Sequence, residues 1–190
     1  GSPQQTASLS YYLLKEALQY QKPEVVLFEA YYLWYDEVYV TEQRLRQAMD
    51  PMRFGKVKIE MVNDLLGDLS WEEKFNYYLP FTTYHQRWQE LENFDFHNKP
   101  YLKGSIMNAG VYPLEDPGLP QEAGEIPESG YVYLEKIREL CEAEGIQLVM
   151  FCTPFGIDEG EEGYMRKQRT MLAAEEYAKA HDIPCLFHQK

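Results

Sequence analysis

Tyr84-His85-Gln86-Arg87-Trp88 sets a proton carrier, a permanent cation and a large aromatic side by side. A substrate anion could be held and protonated by such a group, since His titrates near neutrality and Arg offers a fixed fork of donors. The same residues also suit a structural role, with Trp88 buried and Arg87 paired to Glu90 or Asp95. In a helix from Tyr84 to about Asp95, His85 and Arg87 diverge by about 200°, at roughly 100° per residue. That divergence favours the structural role. Further candidates lie just after two expected strands, at Glu29-Ala30-Tyr31-Tyr32 and at Thr153-Pro154-Phe155-Gly156. Open parallel sheets bind ligands beyond the carboxyl ends of their strands. Glu29, Tyr31, His85, Arg87 and Thr153 are therefore the candidate pocket residues.

The other reactive residue types have structural explanations. His181 falls at a helix C-terminus, where positive charge complements the helix dipole. His97 belongs to a turn-like Asp95-Phe96-His97-Asn98; His188 ends a strand at the last residues of the sequence, and its setting is left open. The acidic run 158–163 lacks the alternating ligand spacing of a calcium loop and reads as a solvated surface. Cys141, Cys152 and Cys185 are odd in number, show no C-x-x-C spacing and sit on apolar stripes, so they read as small buried hydrophobes rather than a disulfide framework. No nucleophile elbow, phosphate-binding loop, dinucleotide fingerprint or H-E-x-x-H occurs. Nothing calls for a metal or a cofactor.

The elements that would position these residues repeat one phrase three times: an amphipathic helix, a stop signal, a short apolar strand. The three copies are YYLLKEALQYQKPEVVLF, YLEKIRELCEAEGIQLVMF and TMLAAEEYAKAHDIPCLF. The first helix is expected over residues 6–20, with Leu9, Tyr12, Leu13, Ala17 and Tyr20 at three- and four-residue steps. Lys22-Pro23 stops it, and 25–28 is an unbroken apolar run suited to a parallel strand covered on both faces. The second helix, 131–144, turns Tyr133, Leu134, Ile137, Leu140 and Cys141 inward and ends at Gly145, where a left-handed residue belongs. Strand 148–152 follows. The third helix, 164–181, carries Met171, Ala174, Tyr177 and Ala178 inward and leads to strand 183–188. Alternating helices and strands imply parallel βαβ units in a three-layer α/β/α sandwich.

Residues 36–128 interrupt this rhythm. Short helices are expected at 42–49, 57–66, 71–78 and 84–93, the third opened by a capping box at Ser70. The stretch 98–129, rich in Gly and Pro, reads as irregular loop. The segment is a helical and loop insertion after an early strand, perched on a single α/β domain that spans 1–190 and reads as incomplete at both ends.

A net charge of −13 argues against a nucleic-acid partner, because phosphate binding needs clustered Lys and Arg. No run approaches the roughly 20 apolar residues of a membrane span. No export signal is legible, and the compartment is left open.

The ordered set of GSPQQT, YYLLKEALQYQKPEVVLFEAYYL, LPFTTYHQRWQELENFDF, GIQLVMFCTP and DIPCLF resembles the SGNH (GDSL-like) hydrolases, closest to a bacterial branch with a helical insertion after the third strand. The resemblance covers most of the chain. It implies a flavodoxin-like sheet in which 25–28, 148–152 and 183–188 are the third, fourth and fifth strands. It implies acyl-ester chemistry, with carbohydrate as the acyl carrier, and allows an exported or membrane-anchored parent. The family's serine lies in a Gly-Asp-Ser block after the first strand, and its Asp and His in an Asp-x-x-His block after the last. Neither block is in this sequence; Gly67-Asp68-Leu69-Ser70 has the wrong order and lies in the insertion. Only Gly1 and Ser2 fall near the family's oxyanion glycine block, so no catalytic residue is carried over. Two other outcomes are a non-catalytic α/β module that binds carbohydrate or protein through its aromatic insertion, and a fragment with no activity of its own. Strands left open at a sheet edge would permit self-association.

Overall fold

The computed structural model describes residues 5–35, 40–84, 120, 122–153 and 160–187. The chain divides into two compact units, with the boundary between Leu45 and Arg46.

The larger unit opens with α1 (Ala7–Ala17). Residues 18–20 continue as a hydrogen-bonded turn before Pro23. Leu9 and Tyr12 are buried as expected, but Tyr20 is 58% exposed and its hydroxyl donates to Glu16 instead of entering the core. Strand β1 (Val25–Glu29) runs straight into a 3-10 turn, Ala30–Trp34. After helix α6 (Glu128–Glu144) come β2 (Gln147–Cys152), α7 (Gly160–Ala180) and β3 (Cys185–Phe187). Gly145 ends α6 at φ 69°, a left-handed conformation that costs glycine little, and the Ile146 amide donates back to the Cys141 carbonyl. The inward set of α7 is the expected one: Met171, Ala174, Tyr177 and Ala178 are all buried.

The sheet is parallel throughout, in the order β1-β2-β3. Val26 sits opposite Leu148, Phe28 opposite Met150, and Met150 opposite Cys185. These residues share one face by the two-residue side-chain period, and Phe28, Leu148, Met150 and Cys152 are buried there. Helix α1 packs along α6 through Tyr11, Tyr12 and Tyr133. Helices α6 and α7 meet where Tyr131 abuts Tyr177 at 5.7 Å and Tyr177 donates to Glu135 at 2.5 Å.

The expectation that 25–28 is covered on both faces is corrected. Val25 is 44% exposed, Leu27 67%, and Leu186, on the same face two strands away, 61%. The cause is connectivity. Right-handed crossovers between neighbouring strands, taken twice in one direction, put both connecting helices on one side. Among the described residues the helices form one layer on a mixed α/β unit.

The smaller unit is helical over its described residues, 46–84. Helix α2 (Glu42–Met49) carries the chain into it, followed by α3 (Lys56–Leu65), α4 (Trp71–Tyr78) and α5 (Phe81–Tyr84). The boundaries of α2 and α4 are those read from the sequence. Ser70 accepts from the Glu73 amide while the Glu73 carboxylate accepts from the Ser70 amide, completing the expected capping box. Met49, Met52, Val57, Met61, Val62 and Tyr77 are buried. The Arg46 guanidinium lies 4.2 Å from the Tyr77 ring centroid, and Tyr84 donates to Asp50 at 2.8 Å.

Candidate functional site

Strands β1 and β2 pair in register to their carboxyl ends, where Glu29 lies opposite Phe151. One residue past the end of β2, the Thr153 hydroxyl donates to the Glu29 carboxylate. Sheet register alone makes these neighbours, although the two residues are separated by most of the chain. Both side chains are exposed, so a ligand over the strand ends would meet a carboxylate already oriented by a hydroxyl. Cys152 sits just beneath. Its thiol is buried and its pKa is pushed up to about 12, first by burial and then by the negative charge of Glu29. Only the thiolate is a nucleophile, so Cys152 is chemically quiet near neutrality.

The 3-10 turn positions the rest. Tyr31 meets Tyr32 edge-on at 4.8 Å, while Leu33 and Trp34 are buried. Helix α7 lays Lys167 against this turn, its Nζ 4.9 Å from the Trp34 ring centroid and 5.5 Å from that of Tyr31. Lys167 is 1% exposed. A charge so buried depends on partners, and aromatic faces supply part of the attraction. One residue earlier in the helix, Arg166 donates to the Trp34 carbonyl at 3.1 Å, and its guanidinium lies 5.4 Å from the Trp34 ring centroid.

Of the sequence candidates, the structure brings Glu29 and Thr153 into direct contact and sets Tyr31 on the turn that follows Glu29. Gly1, Ser2, His85 and Arg87 lie outside the described residues, as do His97 and His188. His181 is described and caps α7: its Nδ1 is 2.9 Å from the Tyr177 carbonyl and its Nε2 is 3.7 Å from Glu135. It therefore stands near the amino ends of the strands, opposite to Glu29 and Thr153. Neither ring nitrogen is bonded to a hydroxyl. Sequence reasoning missed Lys167 and Trp34. Lys167 was legible: stepping back from Met171 and Ala174 by three and four residues along the buried stripe of α7 reaches Thr170 and Lys167.

Among the described residues no three His, Cys, Asp or Glu side chains gather as metal ligands, and no helix is long and apolar enough to cross a membrane. Compared with protein-family profiles, curated proteins and solved structures, the chain matches none.

Proposed function

We propose that this chain is the α/β core of an SGNH-like hydrolase whose parent cleaves or transfers acyl esters on carbohydrate. The reading extends the sheet to a flavodoxin-like one and the unit to a three-layer sandwich. The observation that supports it is the β1–β2 pair, parallel and in register, ending in the Glu29–Thr153 contact at the edge where such sheets bind ligands. In this reading Glu29 and Thr153 shape the floor of the site, and a serine and a histidine from the family's two sequence blocks carry the chemistry. The gene on both sides of this segment tests the reading. A Gly-Asp-Ser block upstream and an Asp-x-x-His block downstream are expected, and the absence of both overturns it.

The chain by itself has no acyl-transfer activity in this reading. Serine chemistry needs the hydroxyl and its base within hydrogen-bond reach, and neither family block is in the sequence. An activated acetyl ester should be hydrolysed no faster than with a heat-denatured control. Saturable turnover that one serine substitution abolishes would overturn this. A second reading, a binding module without catalysis, has its own support in the smaller unit: Phe54, Trp71 and Phe81 are each more than 60% exposed, and Trp71 stacks on Phe75 at 5.4 Å. Exposed aromatic faces suit sugars and protein partners alike.

A further inference from the structure

An open cleft of about 370 Å³ lies beside the 3-10 turn, between the segment 124–127 and the first half of α7. That size is within the range of small-molecule sites. Its walls are fixed by backbone. The Gly124 amide donates to the Arg169 carbonyl at 2.9 Å, and a Cβ on Gly124 would stand 2.9 Å from the Arg169 Cβ. Only glycine lets the segment lie so close to α7. Trp34 lines the cleft, is 9% exposed, and has a buried indole N–H with no hydrogen-bond partner.

Both signs of charge line this cleft. Glu162, Arg166 and Arg169 recur at four and three residues, so they share a face of α7, and Glu125 faces them from the opposite wall. Arg166 is already oriented by Trp34. All four are exposed; among the described residues none of them makes an ion pair with another, and Arg169, Glu125 and Glu162 have no side-chain hydrogen bond. Two guanidiniums outside any ion pair with these carboxylates would attract an anion, but the two carboxylates would repel a doubly charged phosphate. A ligand with one group of each sign satisfies both walls. Met165 and Pro127 leave an apolar wall for its remaining part.

We infer that this cleft binds a small zwitterion of the amino-acid class, its carboxylate on Arg166 and Arg169 and its ammonium on Glu125 and Glu162. Guanidinium–carboxylate pairs are the stronger, directional half of such recognition. The assignment is independent of the hydrolase reading, because the cleft contains none of the groups that reading uses.

The test is calorimetric titration of the full chain with L-leucine, with acetate, methylammonium and inorganic phosphate as separate probes. Leucine should bind saturably with a Kd of about 1 mM or tighter, and each single-charge probe about tenfold more weakly. Arg169→Gln should weaken leucine about tenfold. Glu125→Gln should weaken leucine and leave acetate unchanged. Neither side chain has a hydrogen bond among the described residues, so an unchanged melting temperature separates lost binding from lost folding. Acetate or phosphate binding as tightly as leucine would overturn the zwitterion assignment. Failure of leucine to saturate by about 50 mM, about fiftyfold above the expected Kd, would overturn the site itself, as would an Arg169→Gln chain that binds leucine normally.

Discussion

At the scale of single residues, a polar network in the larger unit surrounds Glu135. Burial pushes its pKa upward, but hydrogen bonds from Arg138 and Tyr177, with the charges of Arg138 and His181, outweigh burial and leave it lowered. Arg138 grips Glu135 and Glu142 at 2.7 Å each, and its own pKa is raised by those two hydrogen bonds. Tyr177 is raised too, first by burial and then by donating to Glu135. A carboxyl with a lowered folded pKa stabilises the fold above its unfolded pKa, and that stabilisation is lost as pH falls through the folded value. Glu135→Gln should therefore cost about 1.5–3 kcal/mol at neutral pH, the scale of a hydrogen bond to a charged group. The cost should shrink as pH falls through that lowered folded value, where the native carboxyl protonates as well. Urea midpoints of both chains, followed from neutral pH down through the acid range, measure this. A cost that stays constant with pH would mean that Glu135 acts through packing alone.

At the scale of elements, the capping box of α4 is the feature that sequence and structure share most closely. Ser70→Ala removes the acceptor for the Glu73 amide, and should destabilise the helical unit by about 1 kcal/mol. Ser70→Gly should cost only a few tenths of that, because glycine also serves as an N-cap. Thermal melts followed by far-UV circular dichroism distinguish the two. The cap was legible because its signal is local: Ser, then an acid three residues on. Helix periodicity was legible for the same reason in α6 and α7, whose inward residues Tyr133, Ile137, Met171 and Ala174 are the ones buried. Tyr20 was misassigned because the helical period was continued past Ala17, where the chain becomes a turn and the face rotates outward. The candidate site was legible only in outline. Strand ends pointed to Glu29 and Thr153, but their partnership depends on register between segments far apart in sequence, and no local pattern encodes register. Trp34 and Lys167 meet through the packing of a turn on a helix, which is equally nonlocal.

At the scale of the whole molecule, the decisive asymmetry is between the two faces of the sheet. Met150 lies at its centre, is fully buried and is flanked by Phe28 and Cys185. Met150→Ala should therefore cost about 2–5 kcal/mol, the lost transfer energy plus a cavity that neighbours only partly fill. Leu27, one residue from Phe28 on β1, points to the other face and is 67% exposed. Leu27→Ala should therefore change stability by no more than about 0.5 kcal/mol. Sequence pattern alone ranks the two residues alike, since both stand within unbroken apolar runs, so the comparison isolates the effect of topology. Guanidinium unfolding measured at dilute and concentrated protein separates two origins of any larger Leu27 effect. A cost present at every concentration would place a further layer of this chain over Leu27 and restore the three-layer sandwich. A cost that grows with concentration would place a second copy there, since association adds stability by mass action.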